Sequence, residues 1–221
     1  MGLTPFQKRL RGLFKRLLNR TLEPRHGIKA TARWKRMPKR LREYYQVAGR
    51  LHSINRCFNR LYRPDKLDDE GAYRIFMEEN QNVVVWAFRI EDADQENPKI
   101  YLAAVLENGE LDKWYPEKLP CAEWLVAMVY WQVVNGGFRF GGYMESRKNL
   151  RRRLVARWPH ILTIPEDRIE FYGRNGQVVC WCGNRRKRGG SLYAAGRTED
   201  DFRKIDKALK VDWSYSDLDD E

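Results

Sequence analysis

Residues 119–137, LPCAEWLVAMVYWQVVNGG, constrain the fold more than any other stretch of the chain. At helical spacing they are apolar almost all round, so a helix here has no wide polar face to turn to water and must be buried against other elements. Its apolar core, Trp124 to Trp131 continued by Val133 and Val134, is shorter than the ~18 residues that span a bilayer. Gly136-Gly137 stops it. Such a helix needs a sheet to lie on.

The flanking sequence supplies one. From Ala72 the pattern becomes strand-like: AYRIFMEE and NVVVWAFRI are rich in aromatic and β-branched residues, with Asn80-Gln81-Asn82 between them as a hairpin joint. Within the second run, Trp86 with Phe88 and Val83 with Val85 alternate, which marks them as core. PKIYLAAVL adds a third strand, and NGELDKWYP a turn at Asn108-Gly109 and a short fourth. Downstream, Asn175-Gly176 separates RIEFYG from QVVCWCG, a strong turn signal, and SLYAAGRT follows. Helices are expected over 38–50, started by Pro38 and stopped by Gly49. A more basic one is expected in ESRKNLRRRLVARW, with Leu150, Leu154, Val155 and Trp158 inward. A last one opens at a capping-box-like Thr198-Glu199-Asp200-Asp201. The 43% hydrophobic content suffices for a packed core. The expected fold is α+β: a twisted, mostly antiparallel sheet with one buried helix and flanking helices, plus an N-terminal basic amphipathic helix.

The net charge of +12 is unevenly spread. Residues 1–50 hold 15 Lys/Arg against Glu23 and Glu43, whereas 51–221 hold 27 against 28 Asp/Glu, so basicity belongs to the N-terminal part. There, LTPFQKRLRGLFKRLLNR puts Leu3, Phe6, Leu10, Leu13, Phe14, Leu17 and Leu18 on one side of a helix. Lys8, Arg9, Arg11, Lys15, Arg16 and Arg20 take the other. Thr4 and Pro5 suit its start. This helix either docks on the protein's own core, lies on anionic lipid, or meets nucleic acid. Acid-free until Glu23 and Arg-rich, it also has the look of a mitochondrial transit peptide, though not of a secretory signal. The expected organisation is 1–36 as basic helix and linker, 37–212 as the α+β domain and 213–221 as an acidic, frayed tail.

Motifs for catalysis are lacking. No nucleophile elbow, Gly-rich phosphate loop or H-E-x-x-H occurs. Cys57, Cys121, Cys180 and Cys182 form no C-x-x-C pair, and the histidines are scattered, so structural thiols in a reducing compartment are expected, with no metal or cofactor. Glu78 and Glu79 are adjacent in a strand and point to opposite faces, which suits acid–base pairing poorly. With Asn80 and Gln81 they read as a turn that can also be a contact. An acidic stretch from Asp65 to Glu96, including Asp92 and Asp94, is either a solvated sheet edge or a steering surface for a basic partner. The basic segments 147–153 and 185–190 come without a helix-turn-helix, zinc finger or RNP-like pattern.

The order LREYYQVAG, RPDKL, IFMEENQNVVVWAFRIED, PKIYLA, KWYPEKL with the apolar helix ending NGG, and SLYAAGRTEDDF resembles the SUKH superfamily over about residues 38–212. The strand–EENQ–strand–Trp86 stretch is its most specific part. The resemblance implies a non-enzymatic immunity protein of a polymorphic toxin system, binding and neutralising a cognate toxin domain in the cytoplasm; fungal relatives regulate cell-wall synthesis. On that reading Glu78, Glu79, Asn80, Gln81, Asp92 and Asp94 are partner contacts. The alternative is a peripheral membrane or nucleic-acid adaptor acting through residues 1–36, with Lys8, Arg9, Arg11, Lys15 and Arg16 as the contacts.

Overall fold

Among the described residues, two six-stranded sheets, antiparallel throughout, carry the chain. The computed structural model describes residues 2–31, 34, 36–146, 148, 150–165, 168–184 and 189–218. It divides into two compact units, one of residues 1–12 and 22–128, the other of 13–21 and 129–221. The fold is therefore α+β, with antiparallel sheets and, among the described residues, six α-helices.

The first unit takes the beginning of α1 (Pro5–Leu18), then α2 (Lys39–Ala48), α3 (His52–Asn55) and strands β1 (Arg60–Leu61), β2 (Asp68–Glu70), β3 (Tyr73–Glu78), β4 (Val84–Arg89), β5 (Lys99–Ala104) and β6 (Tyr115–Pro120). It ends in α4 (Cys121–Gln132). The sheet runs β1-β3-β4-β5-β6, with β2 pairing further along β3. Ile75 pairs with Ala87 and Met77 with Trp86, so Phe76 is an extra residue in β3. Ile75, Phe76 and Met77 are all buried, because both faces of β3 are covered. Phe76 meets Trp124 of α4 edge-on at 5.4 Å. On the opposite face, Ile75, Val85, Ala87 and Ala103 form a smaller cluster that Tyr73 and Trp114, stacked at 4.5 Å, help to cover. Asn97 caps α4: its Oδ1 accepts from Ala122 N at 2.7 Å. Within residues 21–36, Leu22 and Trp34 are buried, and Ile28 N donates to Tyr45 O at 2.8 Å.

The second unit takes the end of α1 and of α4, which passes into a wide helical turn over Val133–Gly137 with Gly136 at φ +105°. There follow β7 (Phe140–Ser146), α5 (Arg151–Val155), β8 (His160–Ile164), β9 (Ile169–Arg174), β10 (Gln177–Gly183), β11 (Gly190–Gly196), α6 (Glu199–Leu209) and β12 (Tyr215–Ser216). Its order is β12-β7-β11-β10-β9-β8. Leu150, Leu154, Trp158, Trp181, Phe202, Ile205 and Leu209 form the core between one face and α5 and α6. On the other face Tyr130 packs on Phe171 and Trp131 on Tyr193. Thr198 caps α6, its Oγ1 accepting from Asp201 N at 3.1 Å. Gly176, at φ +73°, makes the β9–β10 turn.

Five expectations need correction. Trp86 is half-buried rather than core, because its indole N–H reaches a carboxylate at the sheet rim, donating to Glu117 Oε1 at 3.0 Å. Val83 is 49% exposed, since β4 begins one residue later and Val83 belongs to the turn. The helix expected over 145–158 is only Arg151–Val155: Glu145 and Ser146 finish β7, Leu150, Leu154 and Trp158 are buried, and Val155 is exposed. The fourth strand lies later than expected, at Tyr115–Pro120, after a single bridge between Val105 and Leu111. The tail is not frayed where described: Tyr215 and Ser216 pair with β7, and Asp217 Oδ2 accepts from Gly141 N at 2.7 Å. Arg147, Asn149, the basic residues 185–188 and the last three residues, 219–221, lie outside the described residues. Among the described residues no helix is long and apolar enough to cross a membrane.

Candidate functional site

The polar joint is a five-residue turn, Glu79 to Val83, between β3 and β4. Glu79 N donates to Val84 O and Asn82 N to Glu79 O, both at 2.9 Å. Asn82 adopts φ +57°, a left-handed conformation that asparagine tolerates better than most residues. Glu79 is turned onto its own loop, where its Oε2 accepts from Gln81 N at 2.7 Å. Asn80, Gln81, Asn82 and Val83 are exposed. Val105 N donates to Val83 O, which places the 45%-exposed Leu106 beside the turn. The tip is therefore a polar rim around a small apolar spot.

Glu78 goes elsewhere. Its Oε1 pairs with Arg60 Nε at 3.0 Å and its Oε2 accepts from Tyr62 Oη at 2.6 Å. Burial and then this bond to a carboxylate push the Tyr62 hydroxyl up. Arg60 also donates to Asn80 O at 3.1 Å, so one guanidinium braces both the carboxylate and the turn. Glu78 and Glu79 thus have different partners and do not converge.

The acidic stretch is partly compensated from within the unit. Asp65 pairs with Arg63, Asp69 with Arg74 and Glu91 with Arg89. Glu96 pairs with Lys39 and Arg40, while the backbone N–H groups of Lys39 and Arg40 donate to the carbonyls of Gln95 and Glu96. Segment 90–97 is thereby pinned to the start of α2, where negative charge is favoured. Asp92 accepts from the Gln95 amide at 2.6 Å, and Asp94 is exposed. Of the predicted acids, Asp94 is the least committed.

On α1, Phe6, Leu10, Leu13, Phe14 and Leu17 are buried and Leu3 is exposed. Lys8, Arg9, Lys15 and Arg16 are exposed and Arg11 is half-exposed. Arg9 is paired with Glu123 at 3.1 Å. What the helix turns outward is thus charge rather than apolar surface.

Burial pushes the thiols of Cys57, Cys121 and Cys180 up, away from the activated thiolate range. Cys180 and Cys182 share a face of β10 with their sulfurs 3.8 Å apart. No group of three or more His, Cys, Asp or Glu suited to a metal ion occurs among the described residues.

Sequence reasoning missed a cleft of about 330 Å³ next to the joint. Its walls include Arg50, His52, Arg56, Arg60, Arg63, Lys66, Tyr62 and Glu78. The signal was present in the recurring bases of RLHSINRCFNRLYRPDK, but a near-zero charge averaged over 51–221 conceals them.

No protein-family model, no curated protein and no solved structure matches this chain.

Proposed function

We propose that this chain is a SUKH-like immunity protein of the cytoplasm, binding and neutralising a cognate toxin domain without catalysis. The observation that carries the reading is the braced joint. Its carboxylates are engaged in structural bonds, while Asn80, Gln81, Asn82 and Val83 are held out on a turn fixed by Arg60 and Glu79. A preorganised polar tip with an apolar centre suits protein contact, where little ordering cost then opposes binding. Asp94 and Asp92 lie on a second loop and steer approach by charge. The test is rescue of cells expressing the toxin domain encoded beside this gene. The native chain restores growth and co-purifies with the toxin; Val83→Arg does neither while remaining folded. Failure of rescue by the native chain, or turnover abolished by Glu78→Gln, overturns the proposal.

A second reading has its own observation: exposed Lys8, Lys15 and Arg16 on α1. With the helix's apolar side buried, contact with anionic vesicles or nucleic acid would be by charge alone. It would weaken steeply as the Debye length falls from about 10 Å at 0.1 M salt to about 3 Å at 1 M. Retention that persists at high salt argues against it.

A further inference from the structure

The cleft beside the joint concentrates five Lys/Arg side chains and one carboxylate in its wall. Internal acids account for two of the cations: Glu78 holds Arg60 and Asp65 holds Arg63. Among the described residues Arg50, Arg56 and Lys66 make no side-chain hydrogen bond or ion pair, although Lys66 does feel the charge of Asp65. Arg50 and Arg56 come from the two ends of the α3 segment, and Lys66 from the loop after β1. Three separate backbone positions therefore contribute exposed, unmatched cations to the lining of one concavity. His52 also lines the cleft, and Ile28 and Tyr62, both half-buried, give the wall an apolar side.

We propose that this cleft binds a small organic phosphate, its phosphate held by Arg50, Arg56 and Lys66 and its organic part lying against Ile28 and the Tyr62 ring. A phosphomonoester carries nearly two charges and three acceptor oxygens, so it uses three converging donors together, whereas one carboxylate satisfies a single guanidinium fork. The volume sits at the lower end of the range for small-molecule pockets, about 300–1,000 Å³. An extended polyanion fits less well. The chain leaving the cleft continues into β2, whose Asp68, Asp69 and Glu70 are all exposed, and the Asp68 charge already reaches Tyr62. A nucleic-acid backbone continuing past the cleft on that side would meet repulsion. The proposal does not depend on toxin binding.

The experiment uses the full chain with adenosine 5′-monophosphate and glucose 6-phosphate as probes, followed by phosphorus NMR and calorimetry at physiological salt. At least one ester is expected to bind at millimolar concentration or below, inorganic phosphate more weakly, and adenosine and glucose not at all. Arg50→Ala and Arg56→Ala should each weaken binding about ten-fold or more, with melting temperatures near native. Lys148→Ala, which removes an exposed cation of the second unit, should leave it unchanged. Four outcomes overturn the proposal. They are no response to either ester from folded protein, binding indifferent to Arg56→Ala, inorganic phosphate binding as tightly as the esters, and a single-stranded oligonucleotide that occupies the cleft and cannot be displaced by them.

Discussion

Arg40 shows how single residues decide stability here. Its guanidinium pairs with the buried Glu43 at 2.8 Å, reaches Glu96, and lies 5.4 Å from the Phe6 ring centre. Arg40→Ala strands the Glu43 carboxylate in the interior and should cost about 3 kcal/mol, measured by denaturant unfolding; adding Glu43→Gln should restore much of it. Trp86 should matter less than a fully buried tryptophan. Trp86→Ala removes half-buried surface and the bond to Glu117, for an expected loss of about 2–3 kcal/mol. Glu78→Gln, by contrast, weakens a partly exposed ion pair with Arg60 but keeps a partner for Tyr62, and should change stability by less than about 1 kcal/mol. Surface acids set the pH response. Arg63 holds the Asp65 carboxyl below its usual range, Arg74 does so for Asp69, and Lys39 and then Arg40 for Glu96. An acid whose folded pKa is lowered contributes its stability fully above its unfolded pKa and loses it as pH falls through the folded value. The melting temperature should therefore be flat with respect to these groups from neutrality to about pH 5 and decline below about pH 4. A decline beginning near pH 6 would implicate other groups.

Among the elements, β7 was the least legible in the sequence. Phe140-Gly141-Gly142 reads as a breaker, yet it is a strand lying between β11 and β12. The glycines are there for space. A Cβ added at Gly142 would stand 2.9 Å from the rings of Phe202 and Trp213, and one at Gly196 would stand 2.3 Å from the backbone N of Phe202. Gly196→Ala pushes α6 off the sheet at a point where backbone cannot yield, and should destabilise by about 2–3 kcal/mol. Gly2→Ala, with nothing within 4 Å, should not. The hairpins at Asn80–Asn82 and Asn175-Gly176 and the helices α2, α4 and α6 were readable because turn chemistry and periodicity act locally. The short helix α5 was overread because basic residues with apolar spacing satisfy the helical pattern even where the chain is still finishing a strand. Half of the candidate site was legible for the same local reason. The joint is one contiguous motif, whereas the cleft depends on α3, β1 and β3 meeting, which no window of sequence shows.

At the scale of the whole molecule, residues 1–20 are not a detachable tag. Phe6, Leu10, Leu13, Phe14 and Leu17 are each buried. At about 1.5–3 kcal/mol apiece their burial rivals the 5–15 kcal/mol net stability typical of a domain. Deleting residues 1–20 should abolish the cooperative thermal transition or lower it sharply, with dye-binding apolar surface exposed. A truncated protein that melts at the native temperature would refute this. The grouping of residues 13–21 with 129–221 also sets a timetable for synthesis. The end of α1 leaves the ribosome long before β12, and the sheet of its unit is complete only when β12 emerges. At roughly 5–20 residues per second, that is a wait on the order of ten seconds or more. Throughout it Phe14 and Leu17 are uncovered beside Lys15 and Arg16, so a nascent chain arrested before β12 presents a bare, sticky, cationic helix. Premature stop codons late in this gene should therefore yield chains that aggregate or are captured by chaperones, rather than a soluble first half.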